Sequence, residues 1–315
     1  MAKKRVFSGI QSSGRLHIGN YFGALKQWVE MSKEFDCVYA VVDYHALTTV
    51  RNPKQLRENT LEAFTDLLAV GIDPQTNILF KQSDVSAHTE LAWIFECLIT
   101  VPFLMQAHAY KDKVAKGLEA NAGLFNYPML MAADILLYDT DLVPVGADQR
   151  QHVEYAREAA AKFNAAFGET FKEPKEYILD TVAIVPGTDG QKMSKSYGNT
   201  IPLFGSKDEL AKAVMSIVTD SSGERPANVY AIHSLLKDEK ELAPIYVANK
   251  GNYKALKEAL VEDLEAFIAP MRERRERYAK DPEEVKRILA EGGAKAKAIA
   301  SDKMKTVREK IGVAM

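Results

Sequence analysis

The 315-residue sequence has only two cysteines, Cys37 and Cys97. Two thiols build no disulfide framework and suit a reducing compartment. They also cannot supply the four thiolates of an iron–sulfur cluster or a structural zinc site, so no protein-bound metal is expected. No sign of charge dominates: 41 Lys/Arg face 43 Asp/Glu, leaving −2 overall. No global positive field therefore advertises a nucleic-acid partner. Long apolar runs are missing too. The densest, residues 129–138, is about ten residues long, holds an aspartate and is too short to cross a bilayer. The basic start Met-Ala-Lys-Lys-Arg has no apolar run behind it and does not read as a signal peptide. The expectation is a cytoplasmic protein. No Gly-x-Gly-x-x-Gly follows the first strand, which argues against an NAD-dependent dehydrogenase. What remains is ordinary globular composition, 47% hydrophobic and 27% charged.

The first two-thirds of the chain alternates short apolar runs with amphipathic stretches. Residues 5–8 form a β-type run ending in Ser8-Gly9, and helical periodicity begins near Leu16. Residues 37–43 are β-branched and almost continuously apolar, as a strand buried on both faces should be. Asn52-Pro53 reads as an N-cap with proline at the first helical position, and Gly71 stops that helix. Strand 78–81, helices 86–99 and 129–138, strand 142–145, helix 149–167 and strand 181–185 follow. This alternation predicts a doubly wound parallel α/β sheet of Rossmann-like type, with ligands at the carboxyl ends of its strands. Strand signals stop after Leu203. Helices are expected over 208–218 and 256–271. Another starts at Asp281-Pro282-Glu283-Glu284 and ends at Gly292-Gly293, and a last basic helix runs to the C-terminus. The domain reading is an α/β unit over 1–203 and a smaller all-helical one over 204–295, with 296–315 available to pack back on the first.

Two segments carry phosphate chemistry. Gly14-Arg15-Leu16-His17-Ile18-Gly19-Asn20 lies where strand one hands over to helix one. Glycines there let a nucleotide approach the backbone, and the helix start offers unpaired N–H groups. His17 and Asn20, one turn apart, could both donate to phosphate oxygens; a capping histidine in a plain strand–turn–helix is the structural alternative. The sharper segment is Lys192-Met193-Ser194-Lys195-Ser196, behind the Gly/Pro-hinged stretch Pro186-Gly187-Thr188-Asp189-Gly190. Two lysines three apart on such a loop make a cationic clamp for the charge that builds on departing pyrophosphate. The alternative is a solvated surface loop. Asp134 stands alone in an apolar segment, where an unpaired carboxylate is costly. It reads either as an acceptor for a ligand's single N–H donor, such as an indole's, or as a structural ion pair or cap.

His-Ile-Gly-Asn at 17–20 and Lys-Met-Ser-Lys-Ser at 192–196 resemble the HIGH and KMSKS signatures of class I aminoacyl-tRNA synthetases. Further segments resemble the tryptophanyl-tRNA synthetase branch of that family: Phe7 to Gly14, Gly19 to Leu25, Val42 to Ala46, Tyr127 to Tyr138 and Val143 to Gln149. The resemblance implies a ligase that activates L-tryptophan with ATP, releases pyrophosphate, and transfers tryptophan to the 3′ end of its tRNA. It assigns catalysis to His17, Asn20, Lys192, Ser194 and Lys195. ATP contact falls to Gln11, Ser12, Ser13, Gly19, Asn20, Gly146, Asp148, Ile184, Lys192, Met193, Ser194, Lys195 and Ser196. Tryptophan contact falls to Phe7, His45, Tyr127, Met131, Asp134 and Gln149, with Asp134 on the indole N–H. His45 and His152 are as readily structural on residue chemistry alone. Mg²⁺ is implied as part of the ATP complex, and the partners implied are tRNA and a second copy of the chain. Ala147 replaces a frequent Glu, and Tyr197-Gly198-Asn199 follows the second signature where many members have Asp. No role is carried over for that Glu or beyond Ser196.

A local excess of base supports the tRNA expectation. Residues 271–310 hold thirteen Lys/Arg against eight Asp/Glu. Arg272, Arg274, Arg275, Arg277 and Lys280 could neutralise phosphates and Tyr278 could stack on a base, although a solvated helix face has the same composition. The resemblance implies that this helical part reads the anticodon. A compact tyrosine enzyme of the family would need a second polar reader for a phenol, another nucleotidylyltransferase would not need the helical domain, and an inert RNA-binding paralogue should have lost His17 or Lys195.

Overall fold

The computed structural model describes residues 3–12, 14–117, 120–146, 150–178, 184–219 and 225–314. Among the described residues five strands make one sheet: β1 (Arg5–Ile10), β2 (Asp36–Val41), β3 (Ile78–Lys81), β4 (Leu142–Val145) and β5 (Lys175–Ile178). All neighbours are parallel, in the order β3-β2-β1-β4-β5. The winding reverses between β1 and β4, so a crevice opens at their carboxyl ends, the usual ligand site of such sheets. The fifth strand differs from the sequence reading. Residues 181–183 of the expected strand lie outside the described residues, and the edge position is filled by 175–178. Its Lys-Glu-Tyr-Ile pattern is that of a half-exposed edge, which does not stand out as an apolar run.

Helical segments connect the strands. Residues 18–34 run as α1 (Ile18–Asn20), a π-helical turn (Tyr21–Leu25) and α2 (Lys26–Glu34). Next come α3 (Asp43–Ala46), α4 (Pro53–Val70), α5 (Ala87–Glu96), α6 (Val101–Leu104), α7 (His108–Ala115), α8 (Ala122–Leu136) and α9 (Arg150–Phe167). Asn52 caps α4 by accepting from the N–H groups of Lys54 and Gln55, and Gly71 ends it at φ +111, as the sequence suggested. Beyond the sheet lie α10 (Lys207–Met215), α11 (Ala227–His233), α12 (Glu239–Ala248), α13 (Tyr253–Lys280) and α14 (Pro282–Lys310). Capping boxes of Ser206 with Glu209 and of Asp238 with Glu241 start α10 and α12.

Helix α14 does not stop at Gly292-Gly293. A Cβ at Gly292 would overlap the carbonyl oxygen of Leu79 in β3, so glycine is needed for close passage over the sheet. Two helical glycines cost about 1 kcal/mol each in propensity; burial of Ala296, Ala300, Met304 and Val307 on the sheet side offsets this. One sheet face packs Trp28, Phe64 and Leu67 against Leu210, Leu264 and Ile268 of α10 and α13. The other packs Leu91, Phe95, Ala133 and Phe163 with the end of α14.

The arginines of α13 tie it inward. Arg272 Nη1 donates to the Gly205 carbonyl at 2.7 Å, Arg274 Nε to that of Ala69 at 2.8 Å, and Arg275 Nε to Asp66 Oδ1 at 2.5 Å. Sequence density alone could not distinguish these tertiary bonds from a free basic face.

Candidate active site

Beyond Ile10 the chain turns through exposed Gln11, buried Ser12 and Gly14 into the start of α1. Gly14 sits at φ +86, a left-handed conformation that favours glycine. The segment then pairs with the stretch leading to the helical part. Ile18 N–H donates to Ile201 O at 3.0 Å, Leu203 N–H donates to Leu16 O at 3.0 Å, and His17 faces Pro202. Asn20 Oδ1 accepts from the His17 backbone N–H at 3.1 Å. The His17 ring is buried, and neither its Nδ1 nor the Oγ of Ser12 has a partner among the described residues. Buried polar atoms are nearly always paired, so two orphans at one turn mark a place for a polar ligand or water. Burial, and then the charge of Lys195, lower the His17 pKa to about 4. At neutral pH His17 is an uncharged imidazole with one N–H to give.

The loop of the second motif folds over this turn. Pro186 bridges to Lys192, and Met193 N–H donates to Val185 O at 2.9 Å. Met193 is buried, and Gly19 lies between it and the His17 ring, too close to either for a larger residue. Lys195 Nζ donates to the Gly14 carbonyl at 2.8 Å, so the two motifs, remote in sequence, meet. Desolvation lowers the Lys195 pKa, and the charge of Asp66 opposes that shift. Ser194 and Ser196 share a hydroxyl contact of 2.8 Å, while Lys192 is exposed. Buried Asn199 holds the loop's shape. Its Oδ1 accepts from Ser194 N–H at 2.8 Å, and its Nδ2 donates to Asp189 Oδ1 at 2.7 Å and Lys192 O at 3.2 Å. Gly146 stands at the end of β4 and Ile184 is exposed. Ser13, Asp148 and Gln149, with Ala147, lie outside the described residues.

A buried polar cluster lies on the side of the sheet covered by α8. Tyr127, Met131 and Asp134 follow the i, i+4, i+7 spacing of one helical face. Phe7 of β1 stacks on Tyr138 with ring centroids 5.6 Å apart, and His45 and Tyr127 meet edge to face at 6.4 Å. Asp134 is 2% exposed and accepts three hydrogen bonds. Gln82 Nε2 and His88 Nδ1 donate to its Oδ1 at 2.7 and 2.6 Å, and His45 Nε2 donates to its Oδ2 at 2.9 Å. Burial pushes the Asp134 carboxyl up, but the bonds and charges of His45 and His88 outweigh it and hold it below the usual carboxylate range. With the carboxylate ionised, His88 is protonated at Nδ1 and its Nε2 accepts from Tyr138 OH at 2.8 Å. Gln82 is oriented by its second bond, in which Tyr44 N–H donates to Oε1 at 3.1 Å. A carboxylate oxygen can accept twice. Among the described residues Oδ2 has one donor, which leaves it a lone pair.

The structural alternative for Asp134 is what these contacts show, and His45 takes part in it. Sequence reasoning passed over Gln82, His88, Asn199 and Asp66. Gln82 was within reach, since it directly follows β3 at a carboxyl strand end. His88 had no signal beyond being a histidine in an apolar helix. A cleft of about 650 Å³ flanks His45 and Tyr127, with exposed Leu47 and Trp93 on its wall.

Residues 2–287 match the family model of class I tRNA synthetases (W and Y). The tryptophan–tRNA ligase of Fusobacterium nucleatum is 48% identical over 98% of this chain and 98% of its own length. Among solved structures, the tryptophanyl-tRNA synthetase of Campylobacter jejuni complexed with ADP and tryptophan superposes with a TM-score of 0.92. It is 44% identical over 98% of this chain and 99% of that one. The Mycoplasma pneumoniae tryptophanyl-tRNA synthetase gives a TM-score of 0.87 at 29% identity, over 99% and 98% of the two chains.

Proposed function

The chain belongs to the class I tRNA synthetases for tryptophan and tyrosine, and from that premise we propose how the site described above performs the reaction. The enzyme activates tryptophan with ATP and transfers it to tRNA. In the first step a tryptophan carboxylate oxygen attacks the α-phosphorus. The bond from that phosphorus to the bridging oxygen breaks, and pyrophosphate leaves with the electron pair. In the second step a 3′-terminal hydroxyl of tRNA takes the acyl group and AMP departs.

We assign the triphosphate, with Mg²⁺ as part of the ATP complex, to the turn 11–20 and the loop 192–196. The observation that carries this is the 2.8 Å contact of Lys195 Nζ with the Gly14 carbonyl. It brings an ammonium to the turn that holds neutral His17 and the unpaired Ser12 hydroxyl. Negative charge grows on the leaving oxygens as the bond breaks, so a cation and N–H donors held there lower the barrier. Lys192, on the same loop, adds a second cation. We assign the indole to the slot of Phe7, His45, Tyr127, Met131 and Asp134, where the free lone pair of Oδ2 accepts its N–H. Three protein donors hold that carboxylate before the substrate arrives, which keeps down the cost of ordering it on binding.

The anticodon is assigned to the helical part, 204–295, which shares an apolar core with the α/β part, 1–203, and the protein to the cytoplasm. Exposed Leu47 and Trp93 beside the tryptophan slot favour a homodimer through this face. Trp93→Lys should shift the sedimentation of a dimer toward that of a monomer. The central test is amino-acid-dependent exchange of labelled pyrophosphate into ATP with each of the twenty amino acids. Exchange supported by tryptophan is expected; tyrosine as the preferred substrate, or no exchange, overturns the assignment.

A further inference from the structure

Asp66 is a carboxylate on α4 that neither motif predicts, and it is only 2% exposed. Arg275 of α13 donates to it at 2.5 Å, and the same guanidinium lies over the Phe204 ring, 5.3 Å from its centroid. Phe204 directly follows the 201–203 stretch that pairs with Leu16 and Ile18 on either side of His17. The motif loop ends at Asn199, one residue short of that stretch. One ion pair, its carboxylate buried and its guanidinium partly exposed, thus sits behind the junction of three things: the His17 turn, the loop carrying Lys195, and the helices beyond the sheet.

We propose that the Asp66–Arg275 pair is a positioning device for the triphosphate site, holding Phe204 and the stretch 201–203 at the spacing that lets Lys195 meet the nucleotide. The inference rests on reading that site as the place where ATP is activated. A purely structural role fits poorly. Burial raises the Asp66 pKa to about 6 even with Arg275 beside it, so its ionised form is held at a net cost at neutral pH. Ion pairs of this kind can be replaced by apolar residues without loss of stability. What the charge does is couple elements. Arg275 faces Asp66 from α13, Glu62 from its own helix, and Lys195 from the motif loop, and the attraction to Asp66 supports the Lys195 charge.

The test is tryptophan-dependent pyrophosphate exchange by the wild type, by Asp66→Asn and by the double variant Asp66→Leu with Arg275→Leu. At about pH 7.5 the Asn variant should lose about tenfold in kcat/KM for ATP, a typical coupling, while KM for tryptophan stays within about twofold. Lowering the pH to about 5.5 should narrow that gap to about threefold, because wild-type Asp66, titrating at about 6, is then roughly three-quarters protonated and mostly as neutral as asparagine. The double variant should keep the wild-type melting temperature and still show the ATP defect. A gap that does not change with pH, an equal loss toward ATP and tryptophan, or full ATP activity in the double variant overturns the proposal. A wild type without tryptophan-dependent exchange would instead sink the reading of the site, and the positioning role with it.

Discussion

Replacing Asp134 by Asn exchanges one oxygen for an amide nitrogen and removes a charge, with almost no change of shape. The structure sets the consequence. Gln82 and His88 both donate to Oδ1, so the remaining amide oxygen would stay with them, and the new NH₂ would point at His45 Nε2, 2.9 Å away. A donor then faces a donor until His45 changes tautomer. One charge-assisted bond is lost and two become neutral. At roughly 1.5–3 kcal/mol for a hydrogen bond to a charged group, stability should fall by about 2–4 kcal/mol. The acceptor proposed for the indole N–H disappears with the same substitution. A buried polar reader turned against its ligand costs about 3–4 kcal/mol, so kcat/KM for tryptophan should drop about 10²- to 10³-fold. Phenylalanine, with no ring N–H, should lose far less, and discrimination should shrink by nearly the same factor. Pyrophosphate exchange with the two amino acids, alongside urea unfolding, separates the effects. Lost stability with unchanged discrimination would make Asp134 a structural group and refute the indole assignment.

Lys195→Ala should lower the adenylation rate by about 10²–10³ with the fold intact, as removal of a transition-state donor does elsewhere; single-turnover adenylate formation at saturating ATP and tryptophan checks it. Gly292→Ala gains about 1 kcal/mol of helix propensity, yet its methyl meets the Leu79 carbonyl, so a net loss of about 2 kcal/mol or more is expected. Gly293→Ala meets only the Asp84 side chain at 3.2 Å and should cost clearly less in the same urea titration. Asp66→Asn should change how stability depends on pH. The folded pKa of about 6 lies above the ordinary 3.8, so the folded wild type binds the extra proton in that window and loses stability as pH rises through it. The gap is worth up to roughly 3 kcal/mol, and the Asn variant should lack this slope between about pH 4 and 6. A parallel pair of stability–pH curves would contradict it.

Much of the architecture was legible because its causes are local. Asn52-Pro53 and Gly71 bracket α4 through a cap, a preset φ and a left-handed C-cap, all properties of single residues. The apolar run of β2 follows from burial on both faces. The loop string 192–196 and the glycine-bordered His17 turn carry their chemistry in residue type and order. Where the reading went astray, the deciding contact was distant. Gly292-Gly293 has the local signature of a helix end, and it takes Leu79, far away in sequence, to make it a crossing. The arginines of α13 have the composition of a nucleic-acid face, and their partners Asp66, Ala69 and Gly205 make three of them internal ties.

The site divides along the same line. Residue types and their order were enough to single out the glycine-bordered His17 turn, a lysine loop and one carboxylate in an apolar segment, because those features belong to side chains and short backbone segments. That Lys195 reaches Gly14, that Gln82, His45 and His88 converge on Asp134, and that Arg275 reaches Asp66 depended on tertiary packing that brings distant segments together. Hydrogen bonds act over about 3 Å, and no sequence separation measures that distance.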